Sequence, residues 1–160
     1  MSVDDDIWQS AKKAALKAAE AKKSAQNNEK KALDDKEAAI AISAVAVAAG
    51  NGFKNADEAI EVTLNNAGEK TVIAEAHFAV SEAAKAEAQT KEELATIMSI
   101  AKESREEAHE YSDGISSNLA DIAETLTEAK TVEVNAAEAE REFAENVAEV
   151  LEKTSNQTEN

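Results

Sequence analysis

One short run in this chain has the spacing of a metal-ligand set. Glu106-Glu107-Ala108-His109 contains Glu-x-x-His, which puts a carboxylate and an imidazole on one face of a helix. A carboxylate-bridged di-iron site in a helical bundle takes two such motifs plus two glutamates from facing helices. The only other histidine is His77, and the residue three before it is Ala74, so the second motif is missing. His109 therefore reads as an exposed residue near a helix C-terminus, and His77, just before Phe78, as a partly buried structural histidine. Cysteine is absent, so there is no thiol nucleophile. No serine sits in a nucleophile elbow, and no glycine-rich phosphate loop comes after a strand. With two histidines in different stretches, a Ser-His-Asp triad has nowhere to assemble. The expectation is a chain that is not an enzyme and holds neither cofactor nor metal.

The elements that would carry these residues are helices. Hydrophobic residues make up 43% of the 160, but 36 of them are alanine, aromatics are only 3%, and proline is absent. An alanine methyl buries little area, so such a core must bring helix axes close together over a long distance. Neither a β-sandwich nor a disulfide scaffold fits this composition. The formal charge of −16 disfavours nucleic acid and anionic membrane as partners. No stretch reaches the ~20 apolar residues that cross a bilayer, and Met1 to Ser10 lacks a signal segment.

Glycine is the strong punctuation. Gly50-Asn51-Gly52-Phe53 predicts one helix stop, and beyond it Asn55 and Glu58 have the spacing of a capping box. Tyr111-Ser112-Asp113-Gly114 predicts the second, with Ser116 or Ser117 to cap the third helix, while Gly68 reads as an interior glycine. The prediction is an all-α, elongated, up-down-up three-helix bundle of coiled-coil character. Its helices cover about 4–49, 56–110 and 116–153 of a single domain 1–153, with a polar tail 154–160. At ~1.5 Å per residue the helices are roughly 70, 80 and 55 Å long.

Each helix has a row at alternating steps of four and three. The first carries Ile7, Ala11, Ala14, Ala18, Ala21 and Ala25, and the second Ile60, Leu64, Ala67, Thr71, Ala74 and Phe78, then Leu94, Ile97 or Met98, and Ala101. The third carries Ile115, Leu119, Ile122, Leu126, Ala129, Glu133, Ala136, Glu140, Phe143, Val147 and Val150, broken only by the two glutamates. This spacing predicts that all three rows face the core. Lysines of residues 11–31 are expected to lie opposite Glu92, Glu93, Glu103, Glu106, Glu107 and Glu110 in the antiparallel hairpin, which selects the pairing more than it stabilises it.

Three further features carry expectations. The uncharged stretch AAIAISAVAVAA, 38–49, reads as a helix end buried beside the Gly50 turn and Phe53. Trp8, the sole tryptophan, is expected to cover the bundle end by packing toward the 111–115 turn. Asn156-Gln157-Thr158 is a glycosylation sequon, which makes Asn156 a candidate site if the protein is secreted.

Long Ala/Glu-rich helices without proline, the segment IAEAHFAVSEAAKAEAQTKEEL (73–94) and a polar tail with a sequon resemble the alanine-rich surface glycoproteins of African trypanosomes. That group includes the glutamic acid/alanine-rich protein and invariant-surface relatives, similar in fold to variant surface glycoprotein and haptoglobin-haemoglobin receptor ectodomains. The resemblance implies the non-catalytic ectodomain of a coat glycoprotein, a helical spacer or shield held on the outer face of the plasma membrane by a glycosylphosphatidylinositol anchor. A signal peptide before Ser2 and an anchor signal after Asn160 are then expected of the gene. An anchor beyond Asn160 places the Gly50 turn near the membrane. Trp8, Tyr111, Asp113 and Ile115 then lie at the exposed tip, where a host or vector protein is the candidate ligand, and neighbouring coat proteins are candidate lateral partners. Two alternatives stay open: a cytoplasmic helical scaffold or granule-coating protein, similar in composition to phasins, and a self-assembling coiled-coil structural protein.

Overall fold

A computed structural model describes residues 3–50, 55–112 and 114–158. The chain is an all-α three-helix bundle: α1 spans Val3–Ala49, α2 Ala56–Tyr111 and α3 Gly114–Thr158. Asp4, Asp5 and Asp6 lie in the first turn of α1, and Asp57 and Glu58 in that of α2, where the positive end of the helix dipole favours carboxylates. His109 occupies the last turn of α2, at the end that favours a cation.

The breaks use left-handed residues. Gly50 ends α1 at φ 57°, a conformation that costs glycine nothing. Asn55 stands at φ 67° before α2, so it is not the extended N-cap that a capping box requires; its carbonyl accepts from the Ala59 amide at 3.0 Å. At the second break the left-handed residue is Ser112, φ 52°, while Gly114 opens α3. Helix α3 therefore starts two residues earlier than expected and continues to Thr158, through much of the stretch expected as a tail. Asn51, Gly52, Phe53 and Asp113 lie outside the described residues.

The helices contribute to two compact units, residues 1–19 with 81–143 and residues 20–80 with 144–160. In the first unit, Ser81 donates its hydroxyl to the Ala18 carbonyl at 2.8 Å, Lys91 donates to Ser10 at 2.7 Å, and Ser99 to Asp4 at 3.3 Å. Numbers rise along α2 as they fall along α1, so the two run antiparallel. Lys130 meets Glu93 at 2.9 Å and Arg105 meets Asp121 at 2.7 Å, which makes α2 and α3 antiparallel as well. The core is small: Ala11, Ala84, Ala95 and Ala120 are completely buried, and Ser81 nearly so. A serine hydroxyl reaching the backbone of the next helix requires axes this close.

In the second unit Ala21, Val80 and Ala148 form a core cluster with Ala76 and Ala144 packed against it. Asp35 and Lys70 pair at 2.6 Å, His77 and Glu152 at 2.6 Å, and Ser155 donates to Glu69 at 3.2 Å. The threading is again up-down-up. The Asp35 to Lys70 pair has its acid on α1 and its lysine on α2 and lies outside the stretches whose charges were expected to face one another. Glu93, expected opposite the α1 lysines, pairs with Lys130 of α3 instead. The 38–49 stretch is not a buried end: Ile40, Val45 and Val47 are exposed, and Ala39 is the buried member.

The α1 row is buried as its spacing predicts, from Ala11 through Ala25. On α2, Ala67, Ala74, Leu94 and Ala101 are buried, whereas Leu64 is 48% exposed. The α3 row is reversed. Ile115, Leu119, Ile122, Leu126, Phe143, Val147 and Val150 are all exposed, and so are Ala129, Glu133, Ala136 and Glu140. The face of α3 that packs inward is a parallel row with the same steps: Ser116, Ala120, Ala123, Thr127, Lys130 and Val134, continuing through Arg141 and Ala148. Small side chains match the close approach that alanine permits on α1 and α2, and the larger β-branched and leucine residues are left outside.

Candidate functional site

The first unit holds a buried ionic cluster that sequence spacing did not single out and an exposed apolar face made of the row expected in the core, both involving α3. Glu87 and Lys91 are one helical turn apart on α2, and each is more than nine-tenths buried. Lys91 donates to Glu87 at 2.6 Å and to Ser10 at 2.7 Å, and pairs with Glu138 at 2.8 Å, so all three ammonium protons are used. Arg141, also buried, bonds the second oxygen of Glu87 through Nε. Two cations and two carboxylates of α2 and α3, with the Ser10 hydroxyl of α1, thus tie all three helices at one level. The signal was present in the sequence: Lys91 falls at core spacing between Ala84 and Leu94.

Burial pulls the Lys91 ammonium downward, yet hydrogen bonds from it to Glu138 and Glu87, with their charges, carry its pKa above the ordinary 10.5. A lysine raised in the folded state contributes its full stabilisation below that ordinary value, and the contribution is lost as pH climbs through the raised one. Thermal melts between about pH 9 and about pH 11 are expected to show a fall in melting temperature that is shallower in Lys91→Met. Equal slopes in the two proteins would refute this role for Lys91.

The surface ion pairs are of another kind. Hydrogen bonds from Lys130 and then Gln89 hold the Glu93 carboxyl below its usual range, while Glu133 and then Glu93 raise Lys130. Asp121 and Glu124 together clasp Arg105 and raise it further. Glu93 and Arg105 are exposed, Lys130 partly so, and water screens these pairs.

The exposed face lies on residues 115–143 of α3. Ile115 is 79% exposed, Leu119 47%, Ile122 58%, Leu126 50% and Phe143 71%. Val132, on the same side, is 68% exposed. Single exposed leucines are ordinary, but Ile115, Leu119, Ile122 and Leu126 fall in one row at helical spacing, with Phe143 farther along beyond Glu133 and Glu140.

The residues expected at a tip are not gathered. Trp8 is 37% exposed and lines an open groove with Gln89, Glu93, Thr96 and Ile97 of α2 and Lys130 of α3, rather than packing toward the 111–115 turn. The turn has its own groove, lined by Arg105, His109, Ser112, Gly114 and Ser117. Tyr111 and Ile115 are exposed there, and Asp113 lies outside the described residues. Asn156 is exposed on α3. His77 is half-buried against Glu152, and His109 is exposed; among the described residues no three His, Asp or Glu side chains are placed to hold a metal. No described helix is long and apolar enough to cross a membrane.

Comparison with protein-family models, with curated proteins and with solved structures yields no match.

Proposed function

We propose that this chain is a non-catalytic helical module that works by binding another macromolecule along α3. The exposed apolar row of α3 supports this reading more than any other observation. Fully burying a leucine or isoleucine contributes ~1.5–3 kcal/mol, and this face leaves several of them half or more in water. An inert spacer has no use for such a face; an interaction surface does. The test is the native chain with a hydrophobic dye. Dye binding is expected, and Leu119→Gln with Leu126→Gln should remove it while helical signal and urea midpoint stay unchanged. Unfolding of that variant, or no dye binding by the parent, would sink the reading.

A surface-coat ectodomain is the setting we propose for such a module, supported by the exposure of Asn156 within its sequon. Secretion of the chain from a eukaryotic host should give a product whose mobility shifts with Asn156→Gln; an unshifted product argues for the scaffold or structural alternatives.

A further inference from the structure

We infer that the partner of the α3 face is a basic amphipathic helix, docked along residues 115–143 by an apolar stripe with lysine or arginine on its borders. The inference rests on the reading of α3 as an interaction face and specifies its occupant. Two observations carry it.

The first is periodicity. Leu119, Ile122 and Leu126 continue at steps of three and four through Ala129 and Ala136 to Phe143, with Glu133 and Glu140 at the two positions that are not apolar. Knobs at that spacing interdigitate with a second helix, and do not match the two-residue repeat of a strand. The available length, at ~1.5 Å per residue, is about 40 Å, or roughly four heptads.

The second is charge. Residues 114–143 contain seven carboxylates, Asp121, Glu124, Glu128, Glu133, Glu138, Glu140 and Glu142, and two cations, Lys130 and Arg141, a net of −5. Both cations already have partners on this chain: Lys130 bonds Glu93 and Glu133, and Arg141 bonds Glu87 and pairs with Glu142. Glu133 and Glu140 stand exposed within the apolar row. A second copy docked here would add another −5 and set glutamates against glutamates. Anionic lipid is opposed for the same reason. A helix with cations opposite Glu133 and Glu140 satisfies both the apolar and the acidic elements of the face.

The experiment uses the full chain and two labelled synthetic helices of about four heptads, with leucine at the a and d positions and either lysine or glutamate at the flanking ones. Fluorescence anisotropy is expected to show the lysine helix bound at least about tenfold more tightly than the glutamate helix, less so at high salt. Glu133→Lys with Glu140→Lys should reverse the preference, and Leu119→Gln with Leu126→Gln should abolish binding with helicity retained. Equal binding of the two helices overturns the inference, as does lysine-helix binding that survives loss of Leu119 and Leu126. A dimer in sedimentation that the leucine variant converts to monomer, or uptake by zwitterionic vesicles through those leucines, overturns the basic-helix partner but keeps the interaction face. A monomer that binds neither helix nor vesicle removes both.

Discussion

Arg141→Ala is expected to destabilise the chain by about 3–5 kcal/mol, more than any single truncation of the large apolar residues on the same helix. The alanine itself is a good helix former, so the loss comes from Glu87. That carboxylate is 3% exposed and keeps only Lys91 once the guanidinium is gone. Lys91 is already shared with Ser10 and Glu138, so one Glu87 oxygen is left buried without its charged partner. Removing both members, Glu87→Gln with Arg141→Met, should recover much of the loss, because replacing a buried pair costs far less than breaking one. Urea denaturation followed by helical circular dichroism reads the difference. A single variant that loses less than about 1 kcal/mol would place the pair in the class of surface bridges and refute its burial.

Ala84→Leu is the second large effect, expected to cost about 1–3 kcal/mol even though it adds apolar volume. Ala84 has no exposed surface, and the neighbouring Ser81 reaches the α1 backbone, so there is no room for an isobutyl group without separating helices. Leu126→Ala deletes the same group from the exposed row and should change stability by no more than about 0.5 kcal/mol. The usual ranking of core and surface substitutions is thereby inverted: adding to alanine harms, subtracting from leucine does not. A Leu126→Ala loss of about 2 kcal/mol or more would mean that the large apolar row is packed after all.

The reversal on α3 also marks how far the sequence could be read. Alanine richness, the absence of proline and two glycine breaks were enough for three antiparallel helices, because those signals act locally and nothing in tertiary packing opposes them. The choice of face was not local. On α3 two rows have identical spacing, one of leucine, isoleucine and valine, the other of alanine, serine, Lys130 and Arg141. Hydrophobicity points to the first, and packing against alanine seams on α1 and α2 selects the second. The charged members, which by hydrophobicity disqualify the inner row, are the ones that bond Glu87 and Glu93 across the bundle. Ser112 was missed for a related reason: a glycine two residues on is the better helix stop by propensity, but the left-handed turn fell on the serine. Trp8 drew attention as a tip residue by its size, whereas its place is set by the side of α1 on which it falls, beside Ile97 and Lys130.

The small size of the core residues also determines how this chain can be observed. Among the described residues none of the buried ones carries an aromatic ring, while Trp8, Tyr111 and Phe143 all reach solvent. Intrinsic fluorescence therefore reports on a shallow groove beside Glu93, and the near-ultraviolet dichroism expected of rigidly packed rings is weak even in the fully folded state. By those two optical criteria a native, tightly packed alanine core looks the same as a loose one, so methyl resonances and amide exchange are the probes that can distinguish them.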